Sequence, residues 1–215
     1  MLPAVWPEDG SKVYTTFDMV VGPGGHRVEG RVAVLASGEP IAAGDAVTAG
    51  PGVTMFEPGA DHGEVTLPAG QQVVTIQVVD ADGRSMGAEM SHQVSYEVVE
   101  APASRRVFFK EPADGVTVSS PFKVVFGVEG MGMSPALENT GDKTVGHHHI
   151  LINLQPSDAS RVIPNDATHL HYGKAQTETE LTLDPGEYSL TMQFADGNHR
   201  SYGERLAATI KVTVE

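Results

Sequence analysis

Short runs of apolar residues broken by polar ones recur along the whole chain, and no stretch keeps the 3.6-residue period of an amphipathic helix. Residues 124–128, 150–154, 179–183, 189–194 and 207–214 are rich in Val, Ile, Leu, Thr and Phe. These side chains suit a pleated, half-buried surface. Turn chemistry punctuates the runs, as at Asp184-Pro185-Gly186 and Pro68-Ala69-Gly70. About seven strands in ~100 residues, without helices, predict an immunoglobulin-like β-sandwich.

The pattern occurs twice. Pro7-Glu8-Asp9-Gly10 with Phe17 and Val20 matches Pro112-Ala113-Asp114-Gly115 with Phe122 and Val125, at an offset of 105. Further along the offset is 116: Gly30 falls on Gly146 and Pro40 on Pro156. Thr75, Gln77, Asp80, Arg84, Ser85 and Gly87 fall on Thr191, Gln193, Asp196, Arg200, Ser201 and Gly203. An internal repeat of this kind predicts two tandem all-β sandwich domains, 1–101 and 106–215, hinged near Ala101–Arg105. The growth in offset places an insertion of 11 residues in the second copy, between Gly127 and Gly146.

Charge and composition narrow the function. Of 215 residues, 28 are acidic and 14 are Lys or Arg, a net charge of −14. Such a chain repels phosphate backbones and anionic lipid, which argues against nucleic-acid or membrane-surface partners, whereas its field concentrates cations. Cysteine is absent, which removes disulfides, thiolate nucleophiles, Cys-ligated zinc and iron–sulfur clusters together. No run approaches the ~20 apolar residues of a membrane span. The start, Met1 to Trp6, has no basic or apolar leader segment. It reads as a mature terminus after leader removal, with a periplasmic or secreted location as the expectation.

Nine histidines are present, six of them between 147 and 199. His147-His148-His149 runs into the strand-like Ile150-Leu151-Ile152, and His169-Leu170-His171 lies in a second extended piece. Strand side chains alternate faces, so His147 and His149 share one face, as do His169 and His171, while His148 points away. Neighbouring strands ~4.8 Å apart allow four imidazoles to converge. Imidazole suits zinc, copper, nickel and iron(II), so His147, His149, His169 and His171 are the expected metal ligands. His148 is expected to be a packed core histidine and a lesser ligand candidate. His199, after Asp196-Gly197-Asn198, stands equally as a loop ligand or a plain loop residue. Met131 and Met133 lie in the insertion, and their thioethers point to copper over zinc as the bound ion. Glu178 and Glu180 are candidates to orient a ligand imidazole, and His26, His62 and His92 read as ordinary surface or core residues.

The first copy is an internal control. It has Arg31, Val32 and Ala33 at the positions of the triplet, and Val53 and Met55 at those of His169 and His171. The sandwich therefore does not need these histidines to fold. Arg31 predicts a solvent-facing 147/149 face, whereas Val53 and Met55 predict a buried 169/171 face.

Several motifs of the second copy resemble an exported bacterial domain family of unknown function, over about 107–214. They include Glu111-Pro112-Ala113-Asp114-Gly115, Gly146-His147-His148-His149-Ile150-Leu151-Ile152, Ile163-Pro164, His169-Leu170-His171-Tyr172-Gly173, Gln176-Thr177-Glu178 and Asp196-Gly197-Asn198-His199. Members often carry a further His after the last one, where this chain has Arg200-Ser201-Tyr202. The resemblance implies export and a His-rich site, without an activity. The expected function is an exported metal-binding protein, copper first, in chaperoning, sequestration or delivery, with a metal-handling protein as partner. A tandem adhesive or scaffolding module is the alternative, and a metalloenzyme the second. Nucleophile-elbow, His-Glu-x-x-His and phosphate-cradling motifs are missing, so the expectation leans away from catalysis.

Overall fold

The computed structural model describes residues 4–22, 30–36 and 38–215, and the chain divides into two compact units, Met1–Ala101 and Pro102–Glu215. Each is a β-sandwich. The helical pieces among the described residues are two single 3-10 turns, Ala88–Met90 and Glu204–Leu206, and none is long and apolar enough to cross a membrane. His26 lies outside the described residues.

In the first unit Val5–Trp6, Thr16–Val21 and His62–Thr66 form a three-stranded sheet. A five-stranded sheet runs in the order Ser11–Tyr14, Ser91–Val99, Gly70–Val79, Arg31–Leu35, Val53–Met55. The core between them includes Phe17, Met19, Val34, Ile76 and Tyr96, with the Phe17 ring edge-on to Tyr96 at 5.3 Å. The Tyr96 hydroxyl is satisfied by donating to the Pro7 carbonyl at 2.8 Å, as a buried phenol requires.

The second unit repeats this plan. Arg106–Glu111, Phe122–Glu129 and Glu178–Leu181 form the smaller sheet. The larger sheet runs Val116–Val118, Ala207–Val214, Gly186–Ala195, Val145–Ile152, with both Gly132–Met133 and His169–Tyr172 paired to that last strand. The ladders keep the 116-residue offset. Ala33 faces Gln77 and Met55 in the first unit, and His149 faces Gln193 and His171 in the second. Even the sheet-switching turn is reproduced: Asp9 Oδ1 accepts from Ser95 N at 2.7 Å, and Asp114 Oδ1 accepts from Lys211 N at 2.8 Å.

One departure from a plain sandwich creates the site. An antiparallel sheet usually leaves alternate residues facing water, yet residues 74–79 and 190–195 are all buried. In both units a long loop lies over the outer face of the larger sheet. Gln77 Oε1 accepts from Ile41 N at 2.9 Å and its Nε2 donates to Ile41 O at 2.9 Å. Gln193 Oε1 accepts from Ser157 N at 2.7 Å, and Thr191 Oγ1 donates to Leu154 O at 2.8 Å. An unpaired buried amide would cost about 1–3 kcal/mol, so these glutamines hold the overlay in place. Under it the first unit packs Ala33, Leu35, Val47 and Val79 with Ile41, Val53 and Met55. The second packs Leu151, Ile163 and Ala195 with Leu154, and fills the remaining positions with histidine.

Candidate metal centre

Strand alternation sets the arrangement. His147 and His149 share the outer face of Val145–Ile152, under the overlay, while His148 enters the sandwich core, its ring centroid 5.0 Å from those of Phe126 and Phe194. His171 stands directly opposite His149. His147 stands opposite Ala195, beyond which the chain turns and brings His199 back over the same face. Asp196 builds that turn: its Oδ1 accepts from Asn198 N at 2.8 Å and Arg200 N at 2.9 Å, and its carbonyl accepts from His199 N at 2.9 Å.

One ring nitrogen from each of His147, His149, His171 and His199 lies within 4.8 Å of the other three. Every pair of these rings is in contact, with centroids from 4.7 Å (His171–His199) to 6.0 Å (His149–His199) apart. His147 Nε2 lies 3.1 Å from His149 Nε2 and 3.3 Å from His199 Nδ1. Four nitrogens bound tetrahedrally at ~2.0–2.1 Å sit ~3.3 Å apart, so these spacings suit a metal ion. Hydrogen bonding among the rings leaves Nδ1 of His147, Nδ1 of His149 and Nε2 of His171 buried without a partner. Buried polar atoms are normally paired. Of the three, Nε2 of His171 is an unpaired atom that a cation among the rings could engage, whereas Nδ1 of His147 and of His149 lies on the side of each ring away from the Nε2 contacts.

The insertion closes over this cluster and touches all three segments that carry it. Ser134 N donates to Gly146 O, Ala136 N to Gly173 O and Leu137 N to Gly197 O, each at 2.8 Å. Lys143 ends the segment in an ion pair with Asp196, Nζ to Oδ2 at 2.7 Å, with the two side chains 3% and 0% exposed. The Lys143 ammonium also donates to Thr140 O at 2.7 Å. A Cβ on Gly173 would run into the His171 imidazole as it stands, so a side chain there would displace the ring.

Burial governs the protonation of the cluster. It holds His147 down at about 4, with His171 and His199 adding to the depression and Asp196 opposing it. Burial likewise holds His148 at about 4 and His149 at about 2, and lowers His171, with His199 contributing. These rings are neutral at pH 7 and present lone pairs, the form that binds metal.

The structure gathers His147, His149 and His171 of the expected ligands, and recruits His199 as the fourth. His169 is not brought in. It shares the face of His171 but stands one step further along, opposite Leu151, with its Nδ1 2.9 Å from Asp166 Oδ1. That bond, with those from Thr168, pulls the Asp166 carboxyl well below the usual carboxylate range. The solvent-facing expectation drawn from Arg31 is corrected: His147 and His149 are fully buried, because this face lies under the overlay that in the first unit buries Ala33, and the insertion bonds across it as well. Glu178 and Glu180 are also corrected. Their strand belongs to the smaller sheet, where Glu178 pairs with Lys123 at 2.9 Å in solvent. Met131 is buried and Met133 stands opposite Gly146, next to His147. His62 is exposed beside Asp61, and His92 is exposed. Sequence reading missed Lys143 and Asp196, although the repeat of Asp80 at Asp196 marked a turn worth keeping.

Residues 124–215 match a family model described as a domain of unknown function, DUF4399, in line with the resemblance carried by the paired His motifs. The match lies within the second unit. No curated protein matches the chain. Among solved structures, the chain is similar to the fibronectin(III)-like modules of Clostridium thermocellum CbhA, at 10% identity and TM-score 0.34, covering 100% of this chain and 94% of that one. It is also similar to the chicken CNTN1 FN1-FN3 domains, at 13% identity and TM-score 0.36, covering 100% of this chain and 67% of that one. The tandem Ig repeats of Dlar match at 9% identity and TM-score 0.24, covering 100% and 98%. Scores at this level carry no functional argument.

Proposed function

We propose that the second unit holds a transition-metal ion, copper, among His147, His149, His171 and His199. In this reading the protein works outside the cytoplasm in copper sequestration, chaperoning or delivery. The observation that carries the reading is the convergence of four imidazoles, with one nitrogen of each within 4.8 Å of the others. Imidazole favours copper, zinc and nickel over calcium and magnesium, and Met131 and Met133 in the covering segment favour copper among these. Four protein donors fill a tetrahedral ion, whereas catalytic metal sites keep a position open. That supports retention of the ion over turnover. His171 and His199 are the partly exposed members, so the ion enters from their side, drawn by a chain of net charge −14.

The test is elemental analysis of untagged protein kept away from nickel resin, followed by calorimetry against a competing chelator. One copper per chain, retained in competition, is the expected result. Failure to take up copper, zinc or nickel overturns the site, and uptake of zinc in preference to copper overturns the choice of ion.

A further inference from the structure

The four imidazoles bring no charge of their own to a buried ion. The cost of taking an ion out of water rises steeply with its charge, so a divalent ion needs a buried anion nearby far more than a monovalent one does. The fold provides such an anion. Asp196 follows Ala195, the residue facing His147, and its side chain is fully buried. Yet its Oδ2 is held by Lys143 Nζ at 2.7 Å, which offsets part of the charge the ion would feel.

The lysine is not needed for the turn. In the first unit Asp80 builds the same turn, with Oδ1 accepting from Asp82 N and Arg84 N at 2.9 Å each. In the second unit too the turn is built by the other carboxylate oxygen, Oδ1, which leaves Oδ2 to the lysine. Resting on the copper reading above, we infer that Lys143 is a specificity-determining residue. By offsetting Asp196 it lowers the negative protein charge at the centre, so that the site favours copper(I) over divalent ions. The inference names the oxidation state of the cargo as well as the residue that selects it.

The experiment measures copper(I) affinity anaerobically against a colorimetric chelator, and zinc(II) affinity by competition, in the full chain and two variants checked for folding by circular dichroism. Lys143→Met leaves Asp196 uncompensated and should shift the zinc-to-copper(I) affinity ratio toward zinc by roughly tenfold or more. Asp196→Asn keeps the Oδ1 acceptor of the turn, leaves Lys143 charged, and should shift the ratio the opposite way. Opposite shifts are something a purely structural role does not produce, and either variant alone suffices if the other fails to fold. A ratio unchanged in the folded variants, or shifted in the same direction by both, overturns the selectivity role while the four-histidine site stands. A parent chain that binds neither ion overturns the site itself.

Discussion

The two units place the same ladder positions in very different company. In the first, Ala33 and Met55 face each other beneath the overlay and join an apolar cluster with Val79. In the second, the same rung holds His149 and His171, with His147 and His199 beside them. At the turn, Gly83 in the first unit has φ 76°, and His199 in the second has φ 61°. A left-handed conformation suits glycine and costs another residue energy. The scaffold thus tolerates either filling, and the second unit keeps a strained histidine where glycine would do. Strain retained in this way is the mark of a functional position more than of a structural one.

The sharpest way to break the comparison is to give the second unit the first unit's residues. His149→Ala with His171→Met should lower metal affinity by more than roughly 100-fold, since two of four donors are lost, while the circular dichroism of the sandwich stays unchanged. Unaltered affinity by chelator competition would mean the cluster is not the site. His148→Ala should do the reverse. It opens a cavity between Phe126 and Phe194 and should cost about 3 kcal/mol in denaturant unfolding, with metal affinity in the folded protein nearly intact.

Acid should also separate the units. Unfolded histidines take up protons near pH 6.5, whereas folded His147 and His148 resist until about 4 and His149 until about 2. Between those values the unfolded state binds more protons. The metal-free second unit should therefore keep its full stability above pH 6.5 and lose it as pH falls toward 4, by up to ~1.4 kcal/mol per pH unit for each group. The first unit holds Ala33 and Met55 where the second has His149 and His171, and should lack this loss. Amide exchange resolved by unit reads the difference, and parallel profiles would refute it. His199→Gly, the first unit's residue, should stabilise the metal-free protein by about 1 kcal/mol and weaken metal binding, two effects of opposite sign. His169→Val, again the first unit's residue, should change affinity less than about threefold, well under 1 kcal/mol. A larger loss would return His169 to the ligand set.

Much of this was legible in the chain. The two offsets gave the duplicated sandwich and located the insertion, and strand parity sent His148 into the core, away from His147 and His149. Parity was insufficient for His169. It fixes which face a residue takes and leaves open which rung it meets, and the ladder pairs His171, not His169, with His149. His199 was underweighted because it lies in a turn, where sequence period says nothing. The signal available was the repeat itself, which set His199 on Gly83 inside a turn built alike by Asp80 and Asp196. Burial of the cluster was invisible to local pattern, since it depends on the overlay loop and on an insertion whose backbone bonds reach three separate segments.

The strand Val145–Ile152 separates the centre from the interior of the sandwich, and its neighbour His169–Tyr172 does the same. His148 and Tyr172 face each other across this ladder, one step from the His149–His171 rung, and both project against Phe126, at 5.0 and 4.8 Å. An ion that drew His147, His149 and His171 together would pull on the two backbones that carry His148 and Tyr172. Magnetic shielding among rings packed this closely changes steeply over fractions of an ångström. The His148 and Tyr172 ring protons would therefore serve as built-in resonance probes of the proposed site, reporting from the interior side of the sheet without contacting the ion.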